Sequence, residues 1–144
     1  MKSIGKTVSA AVLAAMMLFS LCSCNSSNQS NDGSLNVEGT WKRALNEDDY
    51  HGSGADFYRN YLDNLSAKDT TLTFGADKKL TISAKVDGAD KSVETTYSAT
   101  ADAVSFSDVN GLVAGSAGSY TLKMKNDKLV VDSESLNYIC FVKQ

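Results

Sequence analysis

The feature that most restricts this chain is the alternation of apolar and polar residues at a period of two in short segments separated by turn residues. Leu80-Ile82-Ala84-Val86, Val93-Thr95-Tyr97-Ala99 and Tyr120-Leu122-Met124 each line up on one face, while Thr, Ser, Lys and Glu take the other. Successive side chains of a strand point to opposite faces, so this pattern describes strands with one dry and one wet side. Strands are expected at 37–45, 70–74, 79–86, 92–101, 103–107, 119–125, 128–132 and 136–143. The connections Gly75-Ala76-Asp77-Lys78, Val86-Asp87-Gly88-Ala89 and Asn126-Asp127 carry residues that accept turn geometry. Strands joined so tightly are antiparallel neighbours, which makes the expected sheet a meander.

One segment departs from the alternation. Between the first two strands, Phe57, Tyr61 and Leu65 stand at i, i+4 and i+8 with Tyr58 and Leu62 beside them, an apolar stripe that predicts a short helix over 56–65. Ser53 or Asp56 is the expected N-cap. The stretch Gly111 to Gly118 (GLVAGSAG) reads as a supple connection rather than a phosphate cradle.

The first 34 residues have a different character. Lys2 and Lys6 precede an apolar run of fourteen residues, Val8 to Leu21, followed by small residues, which is the order of an export signal. The run is shorter than the ~20 residues that a membrane-spanning helix needs. Leu21-Cys22-Ser23-Cys24 resembles the lipobox of bacterial lipoproteins. The resemblance implies that 1–23 is a signal peptide and that Cys24 carries long acyl chains such as palmitate, tethering the chain outside the cytoplasm at the cell membrane or outer membrane. Cys22 fits the lipidated position less well, because Leu21 would then occupy the site that wants a small side chain. Each buried methylene contributes about 0.8 kcal/mol, so two or three such chains anchor a protein without any apolar surface on its folded part. Residues 24–34 then form the lipidated cysteine and a polar tether, since NSSNQSNDGS holds no apolar residue.

The domain is expected over 35–144, a length suited to one hydrophobic core. Loss of the signal leaves twelve basic against seventeen acidic side chains, a net charge of −5, with the two signs interspersed. That balance excludes nucleic acid as a partner and a basic membrane-binding face. Only Cys140 remains as a thiol, so the domain is held by its core and not by a disulfide.

Gly39-Thr40-Trp41, Leu72-Thr73-Phe74 with Asp77 in its turn, Tyr97, and the strand Tyr120-Thr121-Leu122-Lys123-Met124 with its hairpin partner around Leu129 resemble the small lipocalin-like domains of bacterial lipoproteins. The resemblance implies an all-β, antiparallel up-and-down meander barrel of about eight strands with a short helix after the first. It also implies Trp41 packed across one end as a structural anchor, and room at most for one small ligand. Lys78 stands where such domains carry Gly after the turn Asp.

Chemistry-bearing residues are few. Glu47, Asp48, Asp49, His51 and Asp56 cluster in one loop and could offer oxygens to a hard cation, but their spacing matches no EF-hand loop and no metal site is expected. Cys140 and His51 are the one thiol and the one imidazole for nucleophilic catalysis, and Cys140 lies in the apolar run Tyr138 to Val142, where a thiol is inert. No catalytic residue and no cofactor is expected. Tyr50, Tyr58 and Tyr61 form either an exposed partner-binding surface or the closure of a barrel end. The leading expectation is a lipid-anchored binding module for a small apolar or amphiphilic ligand. The alternative is an interaction or inhibitor protein with a side-chain-filled barrel that contacts another envelope protein.

Overall fold

The computed structural model describes residues 32–144; the signal segment, Cys24 and the tether up to residue 31 lie outside the described residues. The elements run β1 (Gly39–Leu45), α1 (Gly52–Asn64), β2 (Ala67–Phe74), β3 (Lys79–Val86), β4 (Ala89–Ala99), β5 (Ala103–Asp108), β6 (Gly118–Lys125), β7 (Lys128–Val131) and β8 (Ile139–Lys143). Each strand pairs antiparallel with its neighbour in the chain, and β8 returns to β1 with Trp41 opposite Lys143 and Leu45 opposite Ile139. The result is a closed eight-stranded barrel with one helix after its first strand, the all-β architecture expected.

Local chemistry sets the hairpins. Asp87 and Gly88 (φ 53° and 79°), and Asn126 and Asp127 (φ 48° and 59°), form two-residue loops in the left-handed region, whose twist matches that of the strands they join. In the β2–β3 turn Lys78 adopts φ 62°, so the position where the resemblance expects Gly keeps a left-handed backbone without one. The Asp77 carboxylate accepts the Lys79 N–H at 3.2 Å and holds the turn.

Several boundaries differ from expectation. β1 begins at Gly39 and not at Val37, because the Leu35 N–H is donated to the Thr100 carbonyl (2.6 Å) and the Val37 carbonyl accepts the Trp41 indole N–H (2.7 Å). β2 begins earlier, at Ala67, with a register shift between Lys68 and Thr71 where Asp69 turns to φ 49°. β4 covers Ala89–Ala99, since the I′ turn lets pairing start at once. β8 begins at Ile139 and not at Leu136, because Leu136 and Asn137 donate to the Ser133 carbonyl (3.2 and 2.9 Å) in a helix-like turn. α1 starts at Gly52, four residues before the expected start at Asp56, and His51 is its N-cap with no side-chain hydrogen bond. Ser53 and Asp56 lie inside the helix and cap nothing.

The inward positions of every strand converge. Leu72, Leu80, Ile82, Leu122, Leu129, Ile139 and Phe141 are fully buried, with Phe74, Val104, Phe106 and Tyr120 around them. Eight strands enclose only enough width for side chains or one small ligand, and here large side chains occupy it.

Candidate recognition surface

The two ends of the barrel are built differently. At the lower end, where β1 begins, Leu35 and Val37 are buried against Trp41, which is 2% exposed, and the Lys143 ammonium lies 5.5 Å from the Trp41 ring. The upper end, where β1 finishes, is closed by α1 and by the β5–β6 and β7–β8 connections.

The β5–β6 connection is the supple stretch of the sequence, yet it enters the barrel mouth: Leu112 and Val113 are 3% and 0% exposed. Buried Asp108 accepts the N–H groups of Asn110 (3.1 Å) and Val113 (2.7 Å), while Thr70 Oγ1 donates to the Leu112 carbonyl at 2.8 Å. Gly111, at φ +67° with Ser116 backbone atoms 3.1 Å from where a Cβ would sit, leaves no space for a side chain. Arg43 completes the plug. Its parity on β1 with Trp41 and Leu45 aims it inward, and its guanidinium donates to the carbonyls of Val113 (2.8 Å), Leu112 (3.3 Å) and Ala67. Burial pushes that guanidinium below its ordinary value, with Tyr138 and Asp69 acting in the opposite direction.

The acidic loop does not gather into a cation site. Asp48 turns to Lys128 (3.0 Å), Asp49 to Lys125 (2.6 Å), and Glu47 and Asp56 to Arg59 (2.9 and 3.0 Å). Hydrogen bonds from Lys128 and Lys125 lower the Asp48 and Asp49 carboxyls below the usual range. Among the described residues no group of three potential metal ligands converges. Cys140 faces outward on β8, opposite Ala44 and Val130, and is fully buried; burial pushes its thiol up to about 11, so thiolate is scarce at neutral pH.

The aromatic residues do gather. Tyr58 stacks on Tyr138 (centroids 4.6 Å, planes 23° apart), Tyr50 meets Tyr58 edge-on at 4.6 Å, Tyr61 meets Tyr138 at 5.8 Å, and Phe57 meets Tyr58 at 5.1 Å. Of the two expectations for the tyrosines, closure of a barrel end fits Tyr50 and Tyr58, which are half-buried, while the outer surface belongs to Phe57 (63% exposed) and Tyr61 (53%). Phe57 and Tyr138 were missing from the candidate residues. The i, i+4 pairing of Phe57 with Tyr61 was legible, whereas Tyr138 arrives from a distant loop. Tyr138 is 2% exposed, its hydroxyl has no hydrogen-bond partner among the described residues, and burial pushes it up to about 12. Phe57, Tyr58, Tyr61, Ser135, Leu136 and Tyr138 line a depression of about 300 Å³.

A larger groove of about 770 Å³ runs between α1 and the outer wall of β1, β2 and β8, with Lys42, Glu47, Arg59, Lys68 and Lys128 on its sides. Its charges are largely satisfied by one another, as in Lys42–Asp69 at 3.2 Å. No helix of the described residues is long and apolar enough to cross a membrane. No protein family, curated protein or solved structure matches this chain.

Proposed function

We propose that this chain is a lipid-anchored, non-catalytic lipoprotein of the bacterial envelope whose barrel is a rigid scaffold and whose α1 aromatic face contacts another envelope protein. The observation that carries this reading is the contrast between a side-chain-filled interior and an exposed Phe57–Tyr61 pair backed by a stacked tyrosine cluster. Aromatic side chains supply large contact area at small entropic cost and are enriched where proteins bind one another. A container for an apolar ligand would need an interior cavity of a few hundred cubic ångströms, and Leu72, Phe74, Leu122 and Phe141 stand where it would lie. The anchor rests on Leu21-Cys22-Ser23-Cys24, and the lack of an enzyme role rests on the inert surroundings of Cys140.

Three measurements on one protein test the proposal. Cys24→Ala should abolish fatty-acid labelling and membrane attachment, whereas Cys140→Ala should leave both intact. A photoreactive residue at Tyr61 should crosslink to an envelope protein in cells, and one at exposed Lys79 on β3 should not. A panel of fatty acids and similar amphiphiles should leave Trp41 emission and Tm unchanged. A saturable response to any of them would return the reading to a ligand-binding barrel.

A further inference from the structure

We propose that the upper half of β4 is an addition site for one further strand, taken by an extended segment of another polypeptide whose outward side chains are basic.

The site exists because the barrel wall is incomplete there. β3 pairs with β4 from Lys79 opposite Thr96 to Val86 opposite Ala89, whereas β5 meets β4 only at Tyr97, Ser98 and Ala99. Past Asp108 the chain enters the mouth and buries Leu112 and Val113, in place of continuing beside β4. Asp87 and Gly88 form a two-residue turn, so Ala89 and every second residue after it bond to β3. The Tyr97 N–H, donated to the Lys78 carbonyl at 3.0 Å, keeps that parity. Asp90, Ser92 and Glu94 therefore turn their N–H and C=O groups the other way, and among the described residues nothing pairs with them. Three donors and three acceptors alternating over about 14 Å are matched by an extended backbone and by no compact ligand.

Side chains set the partner's character. Val93 and Thr95 lie opposite buried Ile82 and Leu80 on the inner face and are half-buried, so an inward residue of the added strand meets apolar surface. Lys91 stands on that same inner face, opposite Ala84. The outer face carries Asp90, Ser92 and Glu94, all exposed. Asp90 is bridged to Lys85 at 3.3 Å, and Glu94 has no ion-pair partner among the described residues. An opposed Lys or Arg stabilises such a ladder, and an opposed acid weakens it. That asymmetry decides against a second copy of this chain. The two-fold register that pairs all three free residues runs through Ser92 and sets Asp90 of each copy against Glu94 of the other. Charges on an exposed edge keep like edges apart, and these leave it open to a basic strand.

The test pans the full-length chain, in detergent, against a displayed library of random linear peptides and then measures amide hydrogen exchange. Selected peptides are expected to carry Lys or Arg at every second position. Their synthetic versions should slow exchange at the Ser92 and Glu94 amides, which exchange fast in the free chain. N-methylation of every second peptide amide, tried in both phases, should weaken binding roughly tenfold or more in one phase and little in the other, because only one set of amides faces β4. Ser92→Pro removes one edge donor without touching the β3 ladder, and Glu94→Lys reverses the charge; each should lose the same peptides with Tm nearly unchanged. Equal effects in both methylation phases would mean charge attraction without strand pairing and would overturn the assignment. So would an acidic or patternless consensus, no enrichment, or slow exchange at Ser92 and Glu94 before peptide is added. A concentration-dependent dimer that Ser92→Pro dissolves would overturn it as well, because the occupant would then be a second copy of this chain.

Discussion

The lower end of the barrel is closed by Trp41 from a strand and by Leu35 and Val37 just before it, and the buried indole N–H meets the Val37 carbonyl four residues away. The upper end is closed by segments that leave the strand pattern. There Arg43 donates to the distant Val113 carbonyl, and the Tyr138 hydroxyl has no hydrogen-bond partner among the described residues. A closure made from a few adjacent residues is sealed by packing alone. One assembled from a helix and two connections leaves apolar surface over, and here that surplus is the Phe57–Tyr61 face. The lower end buries its large aromatic side chain, and the upper end leaves two of its own exposed.

The sharpest test of that contrast compares single aromatic deletions. Trp41→Ala should destabilise the domain by about 3–5 kcal/mol, a large part of the ~5–15 kcal/mol a domain of this size possesses. Phe57→Ala should stay within about 0.5 kcal/mol, because little of its ring is packed. Urea unfolding of both variants decides it; equal losses would erase the distinction between the ends.

Arg43→Met should cost roughly 2–3 kcal/mol, since two carbonyls of the plug and the Ala67 carbonyl of β2 lose a charged donor in a half-buried place. Hydrogen exchange should then quicken at the Val113 amide and remain slow at Leu72. Uniform acceleration would mean that the plug is not a separate unit.

Alkaline pH provides a milder perturbation. The Tyr138 hydroxyl rises from 10.0 to about 12 and the Cys140 thiol from 9.0 to about 11, both chiefly through burial. A group whose folded value is raised contributes fully below its unfolded value and loses that contribution as pH climbs through the folded one. Stability should therefore hold up to about pH 9 and fall between pH 9 and 12. Cys140→Ala should remove the earlier part of the fall, on the order of 1 kcal/mol at pH 10. Tyr138→Phe should remove a later part that begins near pH 10. A denaturation series from pH 7 to 12 measures it, and unchanged slopes in both variants would refute the assignment.

The smallest effect belongs to the β6–β7 hairpin. Asp127→Gly should add about 0.5 kcal/mol, because the second I′ position sits at φ 59° and glycine adopts it without steric cost. Tm should rise slightly, with peptide binding at the upper end unaffected.

How much of this was legible depends on the range of the interaction. Leu80, Ile82 and Leu122 could be placed inside from alternation alone, and Asp87-Gly88 and Asn126-Asp127 as turns from residue type. Both are decided within a few residues of chain. The helix was found by its apolar stripe but its start was missed, since Gly52, Ser53 and Gly54 carry no apolar signal. Leu136 was assigned to the last strand on hydrophobicity, which does not separate a strand from a helix-like turn beneath a packed ring.

By itself the sequence determined the strands, their order, the antiparallel hairpins and the position of the helix, because side-chain parity and backbone preference act locally. Tertiary structure alone decided that GLVAGSAG folds into the mouth instead of lying over it, that Arg43 points inward to hold it, and that Tyr138 stacks on Tyr58 across eighty positions of chain. The physical reason is closure. Once β8 pairs with β1, the ring has a fixed width and two mouths, and each loop residue is buried or exposed according to the space that the other strands leave it.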